Sequence, residues 1–215
     1  MSLRVVALDD HPIVVEGIFS LVSRSSPDIL LVASATSWRD LSEALSGHDE
    51  APDLALVDLH LGSDGESLEA ITSLTEAGVP VVILTSELRP VPIQRAISAG
   101  AVGLALKRDP VDSIIATIRA VGSKGLAVSS DLAFVLLSDQ TLAAQLAPRE
   151  VEVLALLADG VPRKLVGPSM DPPVSASTVN TYINRACSRY RELGRQVWSP
   201  RDVVRAAIAD GHIEG

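Results

Sequence analysis

Short runs of apolar, β-branched residues alternate with amphipathic segments over the first 122 residues of the chain. The apolar runs are LRVVAL, ILLVAS, LALVD, VVILT and VGLAL, at residues 3–8, 29–34, 54–58, 81–85 and 102–106. Amphipathic segments such as 37–47 and 66–78 lie between them, and another follows at 109–122. Apolar strands that alternate with helices predict a doubly wound α/β domain, in which helices cover both faces of a parallel sheet.

The rest of the chain has helical periodicity and no strand pattern. Three segments have the period of amphipathic helices: 146–160, 175–194 and 199–211. Ser175 and Ser199 precede the last two as predicted N-caps, and a segment rich in proline and glycine, 161–174, follows the first. The sequence therefore predicts a small all-α domain, which a linker with one short helix near residues 130–138 joins to the α/β domain.

The composition is that of a soluble globular protein, with 47% hydrophobic and 21% charged residues. No apolar run approaches the roughly 18 residues that a membrane-spanning helix needs, so no membrane partner is expected. The first residues, MSLRVVALDD, enter a strand at once, which leaves no room for a signal peptide. Cys187 is the single cysteine, so no internal disulfide is expected and a reducing cytoplasm is the expected location.

Charge is divided unevenly along the chain. Residues 1–141 carry 19 acidic and 9 basic residues, a balance of −10, whereas residues 142–215 carry 8 acidic and 9 basic residues, a balance of +1. The asymmetry suggests two domains with different partners. The balance of +1 is, however, far below the strongly basic surface that DNA-binding domains usually have.

Polar residues end or follow four of the five predicted strands. Asp9 and Asp10 end the first strand, Asp58 the third and Thr85 the fourth, and Lys107 follows the fifth. The carboxyl ends of parallel strands meet at one edge of the sheet, where such folds bind their ligands. We therefore expect three acids, a hydroxyl and a lysine to converge on one site.

Clustered carboxylates require a cation, and Mg²⁺ is a divalent ion that prefers oxygen ligands. A carboxylate beside that ion can attack a phosphoryl group to form an acyl phosphate, while a lysine and a hydroxyl bind the phosphoryl oxygens. Asp58, Lys107 and Thr85 supply these three functions. The alternatives are that Asp9 is a solvated strand end and that Thr85 is an ordinary strand residue.

The order and spacing of the motifs resemble those of a bacterial response regulator of the NarL/FixJ type. In the first part the motifs are DDHP, PDLALVDLHL, LTS and SAGAVGLALK, at residues 9–12, 52–61, 84–86 and 98–107. In the second part, LAPREVEVLALLADG (146–160) and SASTV (175–179) resemble a LuxR-type helix-turn-helix. The resemblance covers essentially the whole chain. It implies a flavodoxin-like receiver domain at 1–124, a linker at 125–144 and a DNA-binding helix-turn-helix domain at 145–215.

The resemblance also implies a role for each residue at the predicted edge of the sheet. Asp58 would accept a phosphoryl group from a cognate histidine kinase, Thr85 would be the switch hydroxyl, and Lys107 would bind the phosphate. The residues implied to hold Mg²⁺ are Asp9, Asp10, Asp58 and, through its backbone carbonyl, His60. His11 is expected to be a surface residue beside Pro12, because carboxylate-rich sites favour cations that prefer oxygen donors.

Leu104 departs from the pattern of the family. Response regulators of this type usually have Tyr or Phe three residues before the lysine, as a rotameric switch coupled to the threonine hydroxyl. Leucine can turn inward but has no ring or hydroxyl to present, so the coupling between Asp58 and the outer face of the domain is expected to be altered here.

By the same resemblance, 175–194 is the recognition helix, which enters the major groove of DNA. Asn180, Thr181 and Asn184 align with base-contacting positions. An asparagine there can bind adenine with two hydrogen bonds, one through its amide oxygen and one through its amide nitrogen. The candidate phosphate contacts are Arg163, Lys164, Arg185 and Arg189. Because the domain is weakly basic, two copies are expected to read paired half-sites of promoter DNA as a homodimer.

Two other functions are compatible with the sequence. The receiver could control DNA binding without phosphorylation, as a constitutive dimer or through another ligand, which Leu104 favours. Alternatively, the helical domain could be a degenerate helix-turn-helix that binds protein, since Pro168, Pro172 and Pro173 interrupt it. An enzyme is disfavoured, because no second acid is placed as a general acid–base and the glycine-rich phosphate loop of nucleotide binders is absent.

Overall fold

The computed structural model describes residues 2–47, 50–61, 65–121, 127–139 and 142–215. The Cα atoms cluster into two compact units, one of residues 1–88 with 93–138 and the other of residues 89–92 with 139–215. The first unit contains a sheet with helices, and the second is helical. In the described part of the chain, no helix is both long enough and apolar enough to cross a membrane.

Six parallel strands form the sheet of the first unit and confirm the predicted doubly wound α/β fold. In chain order they are β1 Leu3–Leu8, β2 Ile29–Ala35, β3 Leu54–Val57, β4 Val81–Thr85, β5 Gly103–Leu106 and β6 Ala127–Val128. Their order across the sheet is β2–β1–β3–β4–β5–β6. The winding reverses between β1 and β3, so the segments that follow these two strands lie side by side at the carboxyl edge.

Helices cover both faces of this sheet. They are α1 Pro12–Ser25, α2 Trp38–Ser46, α3 Glu66–Glu76, α4 Pro90–Ser98, α5 Val111–Ala120 and α6 Asp131–Ser138. The helices α1 and α5 contact each other and share one buried cluster with alternate strand residues such as Val5 and Ala7. The helices α2 and α3 also contact each other, and their buried residues Leu41 and Ile71 lie outside that cluster.

The strand β6 was not predicted. Its two residues pair with Gly103 and Leu104 of β5, and α6 follows it as the short helix expected near residues 130–138. A strand of two residues has no detectable periodicity, so the sequence pattern placed this segment in the linker 125–144. Four residues of that predicted linker lie outside the described part of the chain: 125, 126, 140 and 141.

Four helices form the body of the second unit: α7 Pro148–Ala158, α8 Arg163–Ser169, α9 Ala176–Glu192 and α10 Pro200–Asp210. The predicted caps are confirmed, because the hydroxyls of Ser175 and Ser199 accept hydrogen bonds from the N–H groups of Thr178 and Asp202. The buried residues of α9 are Val179, Ile183, Ala186, Cys187 and Tyr190. They leave the polar face of α9 exposed, as its periodicity predicts.

The proline-rich segment after α8 is accommodated by a close approach at Gly167. Pro168 lies inside this helix of seven residues, and the Val174 N–H donates to the Gly167 carbonyl at 3.0 Å. A Cβ at Gly167 would collide with the carbonyl oxygen of Val174, so the approach requires glycine. The first helix of the predicted motif is therefore short but formed.

Candidate functional site

The carboxyl edge of the sheet brings together the residues that the strand ends predict. Asp9 follows β1, Asp58 follows β3, Thr85 ends β4, and Lys107 follows β5. The Lys107 amine lies between two carboxylates, with Nζ 2.8 Å from Asp9 Oδ2 and 2.7 Å from Asp58 Oδ2. The side chains of Asp9 and Asp58 are only 4% and 3% exposed. Two buried acids of like charge thus share one cation.

Lys107 is held in its charged form by this arrangement. Burial lowers the pKa of Lys107, but the hydrogen bonds and charges of Asp58 and Asp9 together outweigh burial, so the pKa lies above its usual value. The positive charge between the two carboxylates therefore persists at neutral pH.

Backbone N–H groups fix the other oxygen of each buried carboxylate. The His11 N–H donates to Asp9 Oδ1 at 3.0 Å, and the Leu59 N–H donates to Asp58 Oδ1 at 2.7 Å. In each carboxylate, one oxygen therefore accepts a hydrogen bond from a backbone N–H and the other contacts the Lys107 amine. This fixed orientation turns Asp58 toward the lysine and toward Asp9.

Asp10 and His11 form the outer part of the site. Asp10 is 31% exposed, and its Oδ1 lies 2.6 Å from His11 Nδ1. Asp9, Asp10 and His11 each offer one possible ligand atom within 4.8 Å of the others. His11 is at the surface as expected, but it contacts both acids instead of standing apart from them. Two adjacent carboxylates with oxygen donors fit a hard divalent cation.

Glu87 is a part of the site that sequence reasoning missed. It is 6% exposed, its N–H donates to Thr85 Oγ1 at 3.1 Å, and its Oε2 lies 3.0 Å from His60 Nε2. Thr85 itself is fully buried. The sequence feature that could have predicted this contact is the position of Glu87, an acid two residues after the end of β4, together with that of His60, a histidine two residues after Asp58. The His60 side chain thus joins the segments that follow β3 and β4.

Leu104 is fully buried in β5 and pairs with Ile83 of β4. Val128 of β6 lies on its other side in the ladder. Position 104 therefore presents no aromatic ring or hydroxyl at the surface of the domain, where the family usually has Tyr or Phe.

Residues 5–119 match the family model of the response regulator receiver domain. The chain belongs to this family. DesR, a transcriptional regulatory protein of Bacillus subtilis (strain 168), is 30% identical over 183 residues, which cover 85% of this chain and 87% of DesR. NarL, a nitrate/nitrite response regulator protein of Escherichia coli (strain K12), is 26% identical over 198 residues, which cover 87% of this chain and 88% of NarL. The resemblance drawn from the motifs is confirmed, and this chain is a response regulator.

A solved structure extends the likeness to the helical unit. RcsB from Salmonella enterica serovar Typhimurium, bound to promoter P1flhDC in the presence of phosphomimetic BeF3⁻, superposes with a TM-score of 0.68 at 20% identity. The match covers 97% of this chain and 99% of the RcsB chain. This likeness shows the fold of both parts, an α/β receiver followed by a helical domain.

The exposed face of α9 carries the predicted base-contacting residues. Asn180, Thr181, Asn184 and Arg185 are all exposed. A shallow concavity on the same helix is lined by Thr181, Asn184, Arg185, Ser188, Arg189 and Glu192. The structure thus places these polar residues on one side of α9, away from the buried face of the helix.

Two of the four predicted phosphate contacts have partners within the protein. Arg163 donates to Asn180 Oδ1 from Nε at 3.2 Å and from Nη2 at 2.7 Å. Arg189 Nε lies 3.0 Å from Glu150 Oε2, and Glu150 is 2% exposed. Lys164 and Arg185 are exposed, and their side chains have no ion pair or hydrogen bond among the described residues. They are the better candidates for phosphate contacts.

Glu150 joins two helices of the second unit. Ala147, at the N-cap position of α7, has no side-chain oxygen, but its N–H donates to Glu150 Oε2 at 2.9 Å. The same carboxylate binds Arg189 of α9. Half of a capping box therefore remains, and through Arg189 it connects the start of α7 to the last turn of the predicted recognition helix.

Proposed function

We propose that this response regulator is phosphorylated on Asp58 by a cognate histidine kinase and that phosphorylation controls its binding to promoter DNA. The observation that carries the proposal is the Lys107 amine between the buried carboxylates of Asp9 and Asp58. A carboxylate that is buried, fixed by a backbone N–H and adjacent to a cation is suited to nucleophilic attack on a phosphoryl group. The Lys107 amine can then bind a phosphoryl oxygen, and the Thr85 hydroxyl can bind another.

Asp9, Asp10, Asp58 and the backbone carbonyl of His60 would hold Mg²⁺. When bound, the ion supplies positive charge that offsets the charge of the phosphoryl oxygens. The carboxylates of Asp9 and Asp10 position that charge beside Asp58. Thr85 would act as the switch hydroxyl, since its O–H can donate to a phosphoryl oxygen while its oxygen accepts the Glu87 N–H.

The proposed output is promoter recognition by residues 145–215, with 1–124 as the receiver and 125–144 as the linker. Asn180, Thr181 and Asn184 would contact bases, and Lys164 and Arg185 would contact phosphates. The helix-turn-helix resemblance, and the promoter that RcsB binds, support this output. A homodimer on paired half-sites would compensate for the low positive charge of one copy.

We further propose that the protein works in the cytoplasm and turns over no substrate. Any hydrolysis of phosphorylated Asp58 would time the signal. A receiver that acts without phosphorylation is the second candidate, since Leu104 replaces the aromatic switch of the family. A helical domain that binds protein is the third, since the proline-rich segment after α8 departs from the family pattern.

DNA binding by the full-length protein tests this function. With Mg²⁺ and acetyl phosphate, the affinity for duplexes selected from a random pool should rise about tenfold or more, a coupling typical of allosteric proteins. Fluorescence anisotropy at several salt concentrations measures the affinity and its salt dependence. The Asp58→Asn variant should show no effect of the phosphodonor. Equal binding by that variant and by phosphodonor-treated wild type would favour the second candidate, and no binding at low salt would favour the third.

A further inference from the structure

Arg163 and Asn180 form a pair on the exposed face of the second unit. Arg163 is the first residue of α8, Asn180 lies on α9, and both are exposed. Arg163 Nε and Nη2 lie 3.2 and 2.7 Å from Asn180 Oδ1. Because a guanidinium group can only donate hydrogen bonds, this contact orients the Asn180 amide with its oxygen toward Arg163 and its nitrogen away from it.

The contact changes what Asn180 can offer to a ligand. Both N–H donors of Arg163 converge on the Asn180 amide oxygen, so this oxygen already has its partner within the protein. The outward group of Asn180 is then the Nδ2 amino group, which only donates. The remaining N–H groups of Arg163 also only donate. The pair therefore presents a surface of hydrogen-bond donors, with no acceptor.

Such a surface discriminates between purines in the major groove. Adenine presents an N7 acceptor beside an N6 amino donor, and its bidentate partner must both accept and donate. Guanine presents two acceptors, N7 and O6. A donor-only pair satisfies both guanine acceptors but places a donor against the adenine amino group. The contact with Arg163 therefore argues against bidentate recognition of adenine by Asn180.

We infer that the Arg163–Asn180 pair selects guanine over adenine at the base that Asn180 contacts, an inference that rests on the DNA binding proposed above. Arg163 then sets base specificity through Asn180 instead of contacting a phosphate. Asn184, one turn further along α9, has no side-chain hydrogen bond among the described residues. The Asn184 amide keeps both an acceptor and a donor, the pair that adenine requires. The two asparagines of α9 therefore differ in the type of base that they prefer.

Selection of binding sites from random duplexes tests the inference with full-length protein, Mg²⁺ and acetyl phosphate. The Asn180→Ala variant identifies the base position that Asn180 reads, because the preference is lost there. At that position wild type should prefer guanine over adenine about tenfold, the scale of one good base contact. Arg163→Met removes the donors and frees the Asn180 oxygen, so the preference should move to adenine. The matched control is Lys164→Met, which removes the neighbouring exposed charge and should weaken all sites without changing the preference.

Competition anisotropy on paired duplexes that differ only at that base gives the ratio of affinities. A preference of wild type for adenine, a retained guanine preference in Arg163→Met, or no lost preference in Asn180→Ala would each overturn the inference. If no protein in the series binds any duplex selectively, the proposed DNA binding itself fails and the inference falls with it. That result differs from selective binding with an unchanged preference.

Discussion

Replacement of Lys107 by methionine is expected to lower the free energy of unfolding of the first unit by about 3–5 kcal/mol when no divalent ion is present. The substitution keeps most of the side-chain volume but removes the cation between the Asp9 and Asp58 carboxylates, which are 4% and 3% exposed. Two buried like charges then lose their common counter-ion. Denaturation in EDTA, followed by circular dichroism, measures the loss.

The neighbouring Arg108→Met variant is the control for this loss. Arg108 is exposed, so its replacement should change the free energy of unfolding by no more than about 0.5 kcal/mol. Added Mg²⁺ should restore part of the stability of Lys107→Met, because a bound cation replaces the missing charge between the acids. If Lys107→Met and Arg108→Met unfold at the same denaturant concentration, the lysine does not stabilise the two carboxylates.

Replacement of Glu150 by alanine is expected to lower the free energy of unfolding of the second unit by about 2–4 kcal/mol. The variant leaves the Ala147 N–H without its acceptor at 2.9 Å and Arg189 Nε without its acceptor at 3.0 Å. A cavity also replaces a carboxylate side chain that is 2% exposed. Thermal and urea denaturation of the full-length protein, followed at helical wavelengths, measures the change.

Two further variants separate the roles of the Glu150 carboxylate. Glu150→Gln retains an oxygen that can accept the Ala147 N–H but loses the charge that attracts Arg189, so its stability should lie between those of wild type and Glu150→Ala. Glu192→Ala removes an exposed acid of α9 and should leave stability nearly unchanged. Equal stability of Glu150→Ala and Glu192→Ala would show that the joint between α7 and α9 is not stabilising.

The positions of the main site residues follow from the strand pattern. A parallel sheet carries the carboxyl ends of β1, β3, β4 and β5 to one edge, so Asp9, Asp58, Thr85 and Lys107 could be assigned to one site from their place in the sequence. The exposed polar face of α9 follows in the same way from helical periodicity, because Val179 and Ile183 define its buried side. Backbone geometry determines both the edge of the sheet at which these side chains lie and the exposed face of α9, and the sequence periodicity reveals that geometry.

Contacts between side chains of different segments could not be predicted in this way. Glu87 meets His60, Glu150 meets Arg189, and Arg163 meets Asn180, each across two elements whose relative placement periodicity does not specify. These contacts give intramolecular partners to residues whose roles were predicted from residue type alone. Arginine at a DNA-facing position suggests a phosphate contact, whereas an available carboxylate or amide oxygen within the protein gives it another partner.

The mass of the intact protein after incubation with Mg²⁺ and acetyl phosphate addresses phosphorylation of Asp58 without reference to DNA. Wild type should gain one phosphoryl group, and the gain should disappear in EDTA and in Asp58→Asn. The Asp112→Asn variant, which changes an exposed acid of α5, should gain the same mass as wild type. A phosphoryl group on Asp58→Asn would contradict Asp58 as the acceptor. A wild-type protein that gains no phosphoryl group from this donor or from any histidine kinase would contradict a phosphorylated receiver.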